Sequence, residues 1–247
     1  MIRDVVLVEG PDARDYLQGQ LSQDVVALEV GDSAFSLLLQ PQGKVDAWLR
    51  VTRTGDESYA LDVESGWGER VEARLRRFLL RTKATLRLDQ WPVAVHAAPG
   101  PDTPEGAWSV VSELDGTVAL LGATGGLDDG ELEVRRIAEG VPRLGRELDE
   151  STIPAATGIV DRSVSFTKGC YTGQELVARI DARGDRVPTK LRRISGPAQV
   201  GDTLVVNGRE VGTVTSAAGQ VALAYVRREV ELPTDAEIGA ERVRIEA

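Results

Sequence analysis

The sequence predicts an α+β region followed by a small all-β module. Two segments, 12–20 and 67–80, repeat apolar residues at helical spacing, and the stretches around them alternate as strands. After Gly196-Pro197 the chain becomes a series of short strands. Asn207-Gly208 lies between two of them, the strongest short-range signal for a two-residue hairpin turn.

Each element follows from its residues. Val5 to Val8 form a strand closed by Gly10-Pro11-Asp12. The helix over 12–20 turns Ala13, Tyr16, Leu17 and Leu21 to one side. Strands are expected over 33–39, 44–53 and 58–63, joined by turns at Gln42-Gly43 and Thr54-Gly55-Asp56. The helix over 67–80 carries Val71, Leu75, Phe78 and Leu79 on one face and Arg70, Arg74, Arg77 and Arg81 on the other. Strands follow over 85–88, 93–97, 107–111 and 117–121, whereas 132–138 suits a helix or a strand equally. The final strands are 203–206, 210–216, 221–225 and 242–245. The expected division is 1–193 for the α+β region, as two intertwined subdomains, and 194–247 for an antiparallel barrel.

Composition removes several function classes. The 247 residues are 42% hydrophobic and 28% charged, so a core can form without staples. Cys170 is the only cysteine and His96 the only histidine. That excludes an internal disulfide, a Cys/His zinc cluster, a self-contained iron–sulfur cluster and H-E-x-x-H chemistry. No metal-ligating residue is assigned. The net charge of −10 makes the chain a poor general binder of phosphate backbones. With no long apolar run and no secretory leader, a cytoplasmic protein in a reducing compartment is expected.

The stretch around Cys170 is the most informative. Thr172 and Glu175 have the spacing of a capping box, predicting a helix from Gly173 that buries Leu176, Val177 and Ile180. Cys170 would then lie near the positive end of that helix, with Lys168 two residues away, and both features favour a thiolate. A lone cysteine is also often a small buried apolar group. Both readings stand on the residues alone. Downstream, Arg179, Arg183, Arg186, Lys190, Arg192 and Arg193 oppose only Asp181 and Asp185. This strip reads either as a site for an anionic ligand or RNA, or as a solvated linker. His96 and the four Trp residues read as structural, although Trp48 could line a pocket.

Lys168 to Glu175 spells K-G-C-Y-T-G-Q-E. This string resembles the signature of the YgfZ family of folate-binding proteins, relatives of the glycine-cleavage T-protein (aminomethyltransferase). Other landmarks fall in the same order: Gly10 to Ala13, Tyr16 to Val25, Gln42-Gly43-Lys44, Glu139 to Pro142, Ile153-Pro154, Val177-Ala178-Arg179, Arg183-Gly184, and Val200 to Arg227. The resemblance covers nearly the whole chain. It implies a T-protein-like multi-part ring holding tetrahydrofolate, or a one-carbon derivative, with a C-terminal antiparallel β-barrel. It implies an accessory factor for the assembly or repair of iron–sulfur enzymes, affecting tRNA modification indirectly, with client or assembly proteins as partners. A membrane and direct nucleic-acid binding are not expected. Cys170 and Lys168 are the expected catalytic positions; Tyr171, Gln174, Glu175, Arg179, Arg183 and Glu139 are the expected folate-binding ones. The alternative is a tetrahydrofolate-dependent aminomethyl transferase. T-proteins carry Asp at the Cys170 position and Arg at the Gln174 position, and Ala138 stands where their folate-binding Glu would align. These departures argue against transfer. Folate-contacting Trp positions of relatives fall near Arg3 and Leu132.

Overall fold

The computed structural model describes residues 1–184 and 186–247. Asp185, counted above against the basic strip, lies outside the described residues. The first elements are β1 (Ile2–Glu9), α1 (Ala13–Gln20), β2 (Ser33–Leu39), β3 (Val45–Gly55), β4 (Ser58–Glu64) and α2 (Gly68–Arg76). They are followed by β5 (Thr85–Ala97), β6 (Trp108–Val110), β7 (Thr117–Leu121) and α3 (Asp129–Glu139). A short 3₁₀ turn, Pro154–Ala156, precedes α4 (Val160–Ser163) and α5 (Gln174–Asp181). The chain ends with β8 (Thr189–Ser195), β9 (Thr203–Val206), β10 (Arg209–Ala218), β11 (Val221–Arg227), β12 (Thr234–Ile238) and β13 (Glu241–Ile245). Among the described residues, no helix is long and apolar enough to cross a membrane.

The elements form two units. One comprises Met1–Leu127 and Val160–Ala178, the other Asp128–Ile159 and Arg179–Ala247.

The first unit is built on an antiparallel sheet ordered β2-β3-β4-β1-β5-β7-β6. β1 is central, and Val5, Val6 and Val8 have no exposed surface. α1 buries Ala13, Tyr16 and Leu17, and Leu21 just past its end is fully covered, as the helical spacing predicts. Two strands expected over 85–88 and 93–97 are one continuous strand, β5. Pro92, which lacks an N–H, sits where β5 changes partner from β1 to β7, so no ladder bond is lost there.

α2 stops at Arg76, short of the expected residue 80. The chain leaves the helix through turns, and Arg81 has the left-handed φ of 62°. Arg74, expected on the face opposite the apolar one, is buried. Its Nε donates to Asp46 Oδ2 at 3.1 Å and an Nη donates to the Leu39 carbonyl at 2.9 Å.

In the second unit α3 resolves the ambiguous 132–138 as helix. The Asp128 carboxylate accepts from the N–H groups of Gly130 and Glu131, and Gly140 closes the helix at φ 76°. The six C-terminal strands close into a barrel ordered β10-β11-β8-β13-β12-β9. Ile194, Leu204, Val214, Ala224 and Ile245 fill its interior. The Asn207-Gly208 turn has φ of 50° and 73°, both positive as a type I′ hairpin requires, and Arg209 pairs with Val206 across it. The barrel begins at β8, so the expected boundary between residues 193 and 194 falls inside a strand. In β8 only Leu191 and Ile194 are buried, and Lys190, Arg192 and Arg193 interrupt the apolar alternation. β12 carries one buried residue, Ala236.

Candidate functional site

Loop 164–173 is tied along the end of α1. The Ser165 N–H donates to the Ser22 carbonyl at 3.0 Å and the Thr172 N–H to the Gly19 carbonyl at 3.1 Å. Between these, Lys168 Nζ donates to the carbonyls of Gln18, Leu21 and Gln23 at 2.6, 2.7 and 2.9 Å. An ammonium has three donors, and all three are spent here. Two of the acceptors sit in or just past the last turn of α1, where the helix dipole favours a cation. Burial pulls Lys168 down to about 8, with nearby Asp24 opposing the shift.

The acceptors are themselves held. Gln18 Oε1 accepts from the Val25 N–H at 2.8 Å, and Gln18 Nε2 donates to Asp24 Oδ1 at 2.9 Å. Ser22 Oγ donates to the Ser163 carbonyl at 2.6 Å and accepts from the Leu37 N–H at 2.8 Å. Trp48 Nε1 donates to Ser163 Oγ at 2.9 Å, so this tryptophan is a core residue and not a pocket wall.

The far end of the loop rests on the β2–β3 turn. Gly43 and Gly173 have φ of 81° and 83°. A Cβ on Gly173 would stand 2.8 Å from Leu39 Cβ and nearer still to the Gln40 carbonyl. Both positions therefore need glycine for conformation and for space.

Cys170 lies between these anchors and is exposed. The buried-cysteine reading is therefore excluded. Tyr171 is half-buried, with Lys168 Nζ 5.1 Å from its ring centre, and burial raises its hydroxyl to about 12. α5 starts at Gln174, one residue later than expected. The Thr172–Glu175 box is replaced by the Tyr171 N–H donating to Gln174 Oε1 at 3.2 Å. Glu175 is exposed in the first turn.

Lys168, Cys170, Tyr171, Gln174 and Glu175 thus belong to the first unit. Arg179, Arg183 and Glu139 belong to the second, and all three are exposed. Lys190, Arg192 and Arg193 are residues of β8, not a linker. Arg3, at a position aligned with an aromatic folate contact, is buried and its Nε donates to Asp62 Oδ2 at 2.8 Å. Arg50 donates to the same carboxylate, which makes Arg3 part of a buried ion cluster. The anchors Gln18, Leu21 and Gln23 were missed as partners of the loop because no local spacing links them to a lysine 145 to 150 positions away, and Gly43 was missed because its partner Gly173 is similarly remote in sequence. The only signal was their joint appearance as landmarks of one resemblance.

Residues 186–247 match the family model of the CAF17 C-terminal β-barrel domain. A Haemophilus influenzae protein described as uncharacterized is 28% identical over 94% of this chain and 88% of its own length. The tRNA-modifying protein YgfZ of Vibrio vulnificus is 26% identical over 90% of this chain and 77% of its own. A mitochondrial iron–sulfur cluster assembly factor IBA57 homolog of Pyricularia oryzae is 27% identical over 74% of this chain and 53% of its own. The glycine cleavage system aminomethyltransferase T of Bartonella henselae superposes over the entire chain and 83% of its own, with a TM-score of 0.81 at 15% identity. The chain has a T-protein-like fold with a closed six-stranded C-terminal barrel, and its homologues include YgfZ and IBA57 proteins.

Proposed function

We propose that this protein is a cytoplasmic, tetrahydrofolate-binding accessory factor for iron–sulfur proteins, in which Cys170 is the working group. The observation that carries the reading is the exposed Cys170 on a loop braced at both sides by Lys168 and Gly173. An exposed thiol presented by an ordered backbone loses little further entropy when it engages a partner. One thiolate supplies one ligand, so Cys170 would assist a metal centre carried by a client and not house one. Lys168 acts as a positioning residue, because its donors are consumed by carbonyls. Effects on tRNA modification would then be indirect, through the client enzymes.

The donor set suits folate in kind. Tyr171 offers a half-buried ring, and Gln174 keeps its amide donors while its oxygen serves the loop. Glu175 offers a carboxylate for an aminopyrimidine edge. Arg179 and Arg183 offer guanidinium groups for a carboxylate tail. Bound tetrahydrofolate supplies a one-carbon carrier. The cysteine at the position where T-proteins carry Asp disfavours aminomethyl transfer as the activity.

Two measurements test this reading. Tetrahydrofolate titrated against wild type and Cys170→Ser should bind both, with altered affinity in the variant if ligand and thiol share a site. In cells lacking the protein, Cys170→Ala should fold yet fail to restore iron–sulfur enzyme activity. Full rescue by Cys170→Ala would remove the thiol from the function, and absence of folate binding to wild type would remove the cofactor.

A further inference from the structure

The surface just beyond α2 combines exposed apolar side chains with clustered cations. Between Gly68 and Lys83 the sequence holds six Arg or Lys against two Glu, in a chain of net charge −10. Leu80 is 84% exposed and Phe78 44%. Arg77, Arg81 and Lys83 are exposed beside them and have no carboxylate partner for their side chains among the described residues. Arg76 is paired with Glu72.

This segment is not a slack loop. The Phe78 N–H donates to the Leu75 carbonyl at 3.0 Å and the Thr82 N–H to the Leu79 carbonyl at 3.3 Å. The Lys83 N–H donates to Asp12 Oδ2 at 2.7 Å and the Asp12 N–H returns to the Lys83 carbonyl at 3.3 Å. Arg81 holds a left-handed backbone that glycine would adopt with less strain. The isolated chain gains nothing from holding a leucine in water on such a turn, whereas covering Leu80 would be favourable.

We propose that this surface docks an acidic segment of a partner protein. Leu80 and the open part of Phe78 take an apolar side chain, and Arg77, Arg81 and Lys83 take its carboxylates. Arginines beside a buried apolar anchor are a common composition of protein–protein hot spots. RNA is the poorer occupant. The Arg74 guanidinium lies 4.3 Å from the Phe78 ring centre, which covers a face on which a base would stack. Leu80 offers no aromatic face at all.

The probe is a fluorescein-labelled synthetic amphipathic peptide of Glu, Asp and Leu, titrated by anisotropy against the full chain. Controls are the same peptide with Leu replaced by Ser, and bulk tRNA. Leu80→Ser and the double variant Arg77→Glu/Arg81→Glu should each weaken binding by roughly tenfold or more, the size of a hot-spot loss. The serine peptide should bind wild type more weakly by a similar factor. Arg81→Gly separates docking from unfolding, because it should bind more weakly while melting no lower than wild type. Cys170→Ser should bind the peptide like wild type, so failure here is distinguishable from failure of the thiol's role. The proposal is overturned by no binding to wild type, by variants that bind normally, or by equal affinity for the serine peptide. It is also overturned by tighter binding of tRNA lost in the same variants, or by a self-association of the chain that those variants abolish.

Discussion

Gly43 and Gly173 meet backbone to backbone: a Cβ on Gly43 would stand 2.8 Å from the Gly173 carbonyl oxygen. The turn between β2 and β3 and the last residue before α5 therefore lock together without any side chain of their own. This contact braces one side of the Cys170 loop, and the Lys168 tripod braces the other.

Gly173→Ala should be strongly destabilising. The new methyl meets Leu39 and the Gln40 carbonyl in a backbone conformation that already disfavours a side chain. Left-handed strain of about 1–2 kcal/mol and overpacking of about 1–3 kcal/mol together give roughly 2–5 kcal/mol. For a chain of this length that is a fall in Tm of roughly 4–20 °C. Gly31→Ala is the control, since its φ is 98° but nothing lies within 4 Å of its Cβ. Thermal melts should show the smaller, strain-only loss for Gly31→Ala. Equal losses would mean that the Gly43–Gly173 contact is not tight.

Lys168→Met should cost roughly 2–4 kcal/mol in denaturant unfolding, because it removes three charge-assisted bonds and leaves three carbonyls without their partner. Lys168→Arg should not rescue it, because a planar guanidinium cannot reproduce a tripod of donors. Limited proteolysis gives a local readout. Cleavage within 164–173 should speed up in Lys168→Met before the rest of the chain becomes sensitive. A variant with wild-type stability and wild-type proteolysis would show that Lys168 does not hold the loop.

Much of the framework was legible in the residues. The α1 spacing named its buried face, and Asn207-Gly208 named a turn with both φ values positive. β8 was hidden because a strand covered on one face needs only two inward apolar residues, and three cations stand among them. At the site, the literal string around Cys170 pointed to the loop, but the chemistry expected of Lys168 did not follow from its closeness in sequence. Its ammonium is directed by carbonyls near residue 20, a long-range pairing that spacing does not encode. The same limit applied to Arg74, placed by its spacing on the face opposite the apolar one, and to Arg3, noted only for its alignment with a folate-contacting position: both are buried, in ion pairs with Asp46 and Asp62.

Acid should loosen the second unit through Glu133. Its carboxylate accepts from Arg136 at 2.6 and 2.9 Å, from Arg143 at 2.8 Å and from Arg146 at 3.1 Å. The Arg136 hydrogen bond, against a burial penalty, holds Glu133 below the ordinary glutamate value of 4.5. A depressed folded value means the unfolded chain takes up the proton first. The stabilisation is therefore complete above about pH 4.5 and is lost as pH falls through the folded value. Glu133→Gln should be less stable than wild type by roughly 1–2 kcal/mol at pH 7, allowing for partial exposure. The two melting curves should converge as pH drops below about 4.5. A gap that persists unchanged at pH 3 would assign the loss to packing and not to charge.

Cys170 is the only thiol in the chain, which makes its exposure directly countable. Native protein mixed with Ellman's reagent, without denaturant, should release one equivalent of thionitrobenzoate in a single phase. Denatured protein should give the same stoichiometry. Native labelling should be insensitive to small amounts of urea, because no opening of the structure is needed to reach an exposed sulfur. Lys168→Met should keep the full equivalent but change its rate, because the thiol would then sit on a loop that has lost one brace. Labelling that waits on global unfolding would contradict the exposed placement, and with it any role for Cys170 toward a partner's metal centre.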